Sequence, residues 1–116
     1  MNLQDIIQAL NLKTLTNFQD FSNVLVESGY CSDLLSCVMT GASPEGVWIT
    51  LMAHSNIVAV AALLDLSAII ITENAQPEPD TIALAEQKGV ILLSTPADNF
   101  ETVGSLWELG LRATQA

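Results

Sequence analysis

The sequence predicts an α/β fold, a three-layer α/β/α sandwich on a mainly parallel central sheet. Val47 to Met52, Ser67 to Thr72 and Val90 to Ser94 are short runs that are apolar at nearly every position. That is the pattern of strands covered on both faces. Each run is followed by a helical segment, and the runs begin about twenty residues apart, which suits β-loop-α-loop-β units. Strands alternating with helices in this way imply right-handed crossovers and parallel pairing.

The elements can be read in order. Leu3, Ile6, Ile7 and Leu10 recur at helical spacing, which predicts an amphipathic first helix ending at Asn11. A short strand around Lys13 to Thr16 follows. Asn17 to Asn23 is polar and irregular apart from Phe18 and Phe21, and an extended pattern runs from Val24 to Tyr30. Ser32 or Asp33 is placed to cap a helix carrying Leu34, Leu35, Val38 and Met39. Gly41 and the segment Ser43-Pro44-Glu45-Gly46 stop it with turn chemistry. After the first buried strand, Ser55 or Asn56 is placed to cap a helix from Ile57 to Leu64, hydrophobic nearly all round and therefore central. Asp80 opens a helix through Lys88, and Gly89 ends it. Thr95-Pro96-Ala97-Asp98 leads into a last helix with Phe100, Val103, Leu106, Trp107 and Leu109 on related faces.

Composition narrows the function. The 116 residues are 50% hydrophobic and 14% charged, which fits a single domain spanning residues 1–116. Such a domain buries roughly two thirds of its unfolded surface. So high an apolar share predicts leftover apolar surface and a homodimer to cover it. The net charge of -10, with Lys13, Lys88 and Arg112 as the basic residues, argues against nucleic acid and against an acidic membrane surface. The N-terminus has no signal-peptide pattern, and the apolar run from Ile57 to Ile71 is interrupted and too short to span a bilayer, so a cytoplasmic location is expected. Cys31 and Cys37 are spaced neither as a redox pair nor as a metal knuckle. Both are read as small buried hydrophobes on one helix, with a reactive thiol at Cys31 as the alternative.

No phosphate-binding GxxxxGK[ST] loop, no GxGxxG and no GxSxG elbow are present. His54 is the single histidine, which excludes a multi-histidine metal site. No catalytic residue, metal ligand or cofactor is assigned. Asp33 and Glu73, both expected near strand ends, are the candidate acid and base. Their ordinary reading is a helix N-cap for Asp33 and an exposed loop carboxylate for Glu73. The corner at His54, Ser55 and Asn56 falls where a strand hands over to a helix, a usual ligand position in open α/β sheets. Its helix N-terminus would receive a polar group, while capping is the structural alternative.

The string NVLVESGYCSDLLSCV, followed by VWITLMAHSNIVAVAALLDLSAIIIT, resembles the DRTGG domain family over nearly the whole chain. In that family Asp-Arg-x-Val-Thr-Gly-Gly precedes a Tyr-x-Ser-Asp-Leu-Leu-Ser segment. Here Asn23, Val24, Val26, Glu27, Ser28 and Gly29 occupy the first motif, of which the valine and last glycine survive. Tyr30, Ser32, Asp33, Leu34, Leu35 and Ser36 match the second. The resemblance implies a fold like the N-terminal domain of HPr kinase, without its phosphate-binding domain. It also implies a non-catalytic regulatory or oligomerisation module that binds a small metabolite, a nucleotide or a partner protein. The candidate ligand residues are Ser28, Gly29, Tyr30, Ser32, Asp33, His54, Ser55 and Asn56. The competing expectation is a small enzyme using His54 with a nearby carboxylate or Cys31.

Overall fold

The computed structural model describes residues 1–114 of the chain. The described elements are α1 (Leu3–Leu10), β1 (Lys13–Thr14), β2 (Ser28–Cys31), α2 (Leu35–Gly41), β3 (Gly46–Thr50), α3 (Asn56–Leu63), β4 (Ala68–Ile71), α4 (Pro79–Lys88), β5 (Leu92–Ser94) and α5 (Asn99–Glu108). The five strands lie in the order β1-β5-β4-β3-β2. Every neighbouring pair is parallel except β1 with β5, so the sheet is mainly parallel, as the apolar runs imply.

The consecutive isoleucines of β4 show how one strand serves both layers. Ile70 packs on the side of α1 and α5 with Leu3, Ile6 and Leu106. Ile69 and Ile71 pack on the other side with Trp48 and with Ile57, Val58 and Ala61 of α3. Successive strand residues point to opposite faces. Burying each such side chain contributes about 1.5–3 kcal/mol. Trp48 is fully buried, and its indole N–H donates to the Ser32 carbonyl at 3.0 Å, so the polar end of the ring is paired.

Local chemistry sets the boundaries. Asn2 caps α1 by accepting from the Asp5 N–H at 2.9 Å, and Asn11 ends that helix in the left-handed conformation. Gly89 takes the same conformation after α4, at φ 73°. Asp98 caps α5 by accepting from the Glu101 N–H at 2.8 Å.

Three sequence expectations change. The cap of α2 is neither Ser32 nor Asp33: the helix starts at Leu35, and the residue at its cap position, Leu34, makes no side-chain cap bond. The Ser32 hydroxyl accepts from the Leu34 N–H at 3.1 Å one step earlier, and Asp33 turns elsewhere. Ser55 occupies the cap position of α3 without a side-chain bond, and the neighbouring His54 supplies it instead. Cys31 is not a buried helical residue; it ends edge strand β2 and is exposed, while Cys37 on α2 is half-buried.

Candidate functional site

The helices α2, α3 and α4 return over one face of the sheet, and α5 lies on the other. The β5–α5 connection is therefore where the chain changes face, at the carboxyl ends of the parallel strands. Polar side chains from four connections meet there. Asp33 Oδ1 accepts from the Thr50 hydroxyl at 2.7 Å and from the Leu51 N–H at 2.9 Å, while Oδ2 accepts from Asn99 Nδ2 at 3.2 Å. The Thr72 hydroxyl donates to Asn99 Oδ1, and the Asn99 N–H donates to Glu73 Oε2 at 3.3 Å. Thr50 and Thr72 are fully buried, so their hydroxyls depend on these partners.

Asp33 and Glu73, the candidate acid and base, are thus both brought to Asn99. Each is engaged by donors of the fold. Glu73 and Asn74 sit at φ 61° and 56°, a region non-glycine residues rarely adopt. Their N–H groups donate to Ala97 O at 2.8 Å and Thr95 O at 3.2 Å, which joins the loop after β4 to the loop after β5.

A polar groove of about 360 Å³ opens beside this knot, lined by Ala53, His54, Ser55, Gln76, Glu78, Asp80 and Thr81. It lies where α3 and α4 begin. His54 Nδ1 accepts from the Asn56 N–H at 3.3 Å, which requires that this nitrogen carry no proton while the bond is made and leaves Nε2 as the second ring nitrogen.

A second groove, about 130 Å³ and almost wholly apolar, runs between β2 and α5. Gly29, Tyr30 and Cys31 line it from β2, Ile49 from β3, Val103, Leu106 and Trp107 from α5, and Leu111, Arg112 and Ala113 from the segment after α5. The Arg112 guanidinium stacks 3.8 Å from the Trp107 ring centre, and its Nη1 donates to the Trp107 carbonyl at 2.9 Å. Although Cys31 is exposed as a residue, the apolar groove partly desolvates its thiol and pushes it above its ordinary pKa, and the charge of Asp33 adds to the effect, so the thiol form is favoured over the nucleophilic thiolate. Between α1 and the start of α5, the Thr102 hydroxyl is buried without a partner.

The sequence-predicted residues are divided among these places. His54 and Ser55 line the polar groove, and Asn56 begins α3 beside it. Gly29 and Tyr30 line the apolar groove. Asp33 belongs to the knot, and Ser32 is anchored by its N–H to the Ile49 carbonyl at 3.2 Å. Ser28 lies at the opposite, amino end of β2, buried near the hydroxyls of Ser43 and Thr114. Gly29 and Val26 have packing reasons to be what they are. A Cβ on Gly29 would press on Leu111 at 3.1 Å, and Val26 is 2% exposed in the core. Tyr30 also packs closely: a Cβ on Gly41 would fall 2.4 Å from its ring.

Sequence reasoning does not find Asn99, Thr50 or Thr72, or the pairing of Arg112 with Trp107. Asp33 and Asn99 are 66 positions apart, and no spacing rule connects them.

The strand order, the two helical layers and the knot at the carboxyl edge define a small α/β domain, and its family can now be stated. The DRTGG domain model matches residues 5–109, and the chain belongs to that family. Among solved structures, it is similar to the CBS and DRTGG domains of the regulatory region of Clostridium perfringens pyrophosphatase, a structure complexed with the activator diadenosine tetraphosphate. The TM-score is 0.67 at 16% identity, over 90% of this chain and 45% of that one. The likeness is one of fold, and the chain spans less than half the length of that structure. No curated protein matches. Among the described residues, no helix is long and apolar enough to cross a membrane, and no three His, Cys, Asp or Glu side chains group as metal ligands.

Proposed function

We propose that this chain is a regulatory domain that works by binding, without turnover of its own. The observation that carries the reading is the knot at the carboxyl edge. Asp33, Thr50, Thr72, Glu73 and Asn99 bond to one another and to nearby backbone groups, so the exposed carboxylates of Asp33 and Glu73 each hold the fold together as well as facing solvent. Membership in the DRTGG family and the fold shared with a pyrophosphatase regulatory region support it from outside the chain. The alternative is an enzyme using His54 with a nearby carboxylate or Cys31, and the raised thiol pKa weighs against its Cys31 form.

The groove beside His54 is the place for a small ligand. Glu78 and Asp80 line it and no basic residue does, so it favours an uncharged or cationic polar metabolite over a phosphate. The relative's activator, diadenosine tetraphosphate, carries several negative charges. This chain has three basic residues against thirteen acidic ones and is expected to hold such a ligand weakly. A second copy of the chain is the expected partner, because large apolar side chains remain uncovered on α5.

Melting temperatures test the reading directly, since a ligand that binds the native state raises them by mass action. Adenosine, spermidine, free amino acids and diadenosine tetraphosphate are to be compared in the natural chain and in His54→Ala. An uncharged or cationic compound is expected to raise the melting temperature of the natural chain by several degrees and that of the variant by less. Conversion of any of these compounds, followed by NMR and abolished in His54→Ala, would overturn the non-catalytic reading.

A further inference from the structure

The apolar groove between β2 and α5 has no part in the function proposed above, and its two ends differ. At one end is Arg112. The Gly29 N–H donates to the Arg112 carbonyl at 3.0 Å, which ties the segment after α5 to the edge strand, and the guanidinium is stacked on Trp107. Both of its hydrogen bonds among the described residues leave from Nη1, to the carbonyls of Trp107 and Leu111, so Nε and Nη2 keep their donors. Cys31, two residues further along β2, marks the other end, within the field of Asp33. We propose that this groove binds a monocarboxylate whose body is a single aromatic ring, with the ring against the apolar walls and the carboxylate on Arg112.

Size and lining select the body. The groove holds about 130 Å³, and an apolar cavity of about 150 Å³ admits benzene, so one ring fits and a nucleoside is too large. Ile49, Leu106 and Leu111 offer that ring apolar contact, with the Trp107 ring beside them. The walls present almost no polar atoms, so a sugar or polyol would lose its hydration without replacement.

Charge selects the head. The chain carries a net charge of -10, with Lys13 on β1 at the opposite edge of the sheet and Lys88 at the end of α4. A polyanion is repelled by that field, while one carboxylate can lie against one guanidinium with its charge turned away from Asp33. Glu108 follows Trp107 on α5 without lining the groove. Stacking on Trp107 holds the guanidinium in place before a ligand arrives, which lowers the cost of ordering it.

Phenylacetate and its uncharged isostere phenylacetamide, each titrated into the isotope-labelled full chain and followed by NMR, test the proposal. Phenylacetate is expected to bind with a dissociation constant below about 1 mM, and phenylacetamide about tenfold more weakly or worse, for want of the charge-assisted pair. The Trp107 indole and Gly29 amide signals should move, while the indole of Trp48, buried on the other face of the sheet, stays in place. Bound phenylacetate should also slow iodoacetamide at Cys31. Arg112→Gln should abolish the preference for the carboxylate, and Val103→Phe, which fills the groove, should weaken both compounds. Should either variant lose the Trp48 signal of the folded core, the comparison of the two compounds in the natural chain decides. Equal binding of the two overturns the anionic ligand. A Trp107 signal unmoved up to about 10 mM phenylacetate, or an unchanged rate at Cys31, overturns the site. Because His54 and its neighbours report separately, these failures leave the reading of the polar groove standing.

Discussion

Asn99 and Phe100 are neighbours in sequence and opposites in structure. Asn99 turns into the knot at the carboxyl edge of the sheet, bonded to Asp33, Thr72 and Glu73. Phe100 points away from everything the chain contains. The first region holds the polar groups that look chemical in the sequence, and the fold bonds them to one another while Asp33 and Glu73 stay exposed. The second holds side chains that look like ordinary core, and the fold leaves them open. Partners within the chain, rather than residue type, distinguish the two: Asn99 has three and Phe100 is left to solvent.

Asp33→Ala tests the structural side of this contrast with the largest expected effect. It strands the buried Thr50 hydroxyl and the Leu51 N–H, and the cost is about 2 kcal/mol, read as a lower urea midpoint at constant slope. A neutral outcome would mean that the carboxylate is free for another task.

A double-mutant cycle of Thr72→Val and Asn99→Ala sharpens the same side. The two residues share one buried bond, so their single costs, each about 1 kcal/mol, should fail to add. Strict additivity would show that the knot is not a unit.

On the open side, Phe100→Ser measured at a dilution that keeps the chain monomeric should shift stability by less than about 0.5 kcal/mol. A larger loss would place Phe100 in the chain's own packing and erase the contrast.

Cys31 lies between the two regions, in the apolar groove and within the field of Asp33. Iodoacetamide should modify it more slowly than a free thiol near neutral pH, with the rate climbing only toward the raised pKa. Asp33→Asn removes the smaller, electrostatic cause and should raise the rate modestly.

The smallest effect concerns Asp20, remote from both regions. Hydrogen bonds from the Ser22 hydroxyl and N–H hold its carboxyl below the usual aspartate range. Because the folded pKa is depressed, its stabilising contribution is present above the unfolded aspartate value and is lost as pH falls through the folded one. A carboxyl titration by NMR reads the shift directly.

The legible part of the fold was the part governed by local pattern. The buried runs at 47–52, 67–72 and 90–94 correspond to β3, β4 and β5, because a strand covered on both faces must be apolar throughout. Strand β2 was blurred into a longer extended stretch because an edge strand with Ser28, Gly29 and Tyr30 lacks that run. Ser55 takes the cap position of α3 without a side-chain bond, and Asp33 is drawn from the cap of α2 by long-range partners that no local pattern reveals. The knot joins positions 33, 50, 72, 73 and 99, and such a gathering is set by strand order rather than by spacing. The apolar residues of α5 were legible as a stripe. Which of them face the sheet depends on where Thr102 and Leu106 dock, and the stripe itself does not say.

Sedimentation equilibrium on the natural chain, Asp33→Ala and Phe100→Glu side by side tests the central claim most directly. The expected result is a dimer for the natural chain, a less stable chain that still dimerises for Asp33→Ala, and a folded monomer for Phe100→Glu. A natural chain that is monomeric, or a Phe100→Glu variant as dimeric as the natural chain, would contradict it.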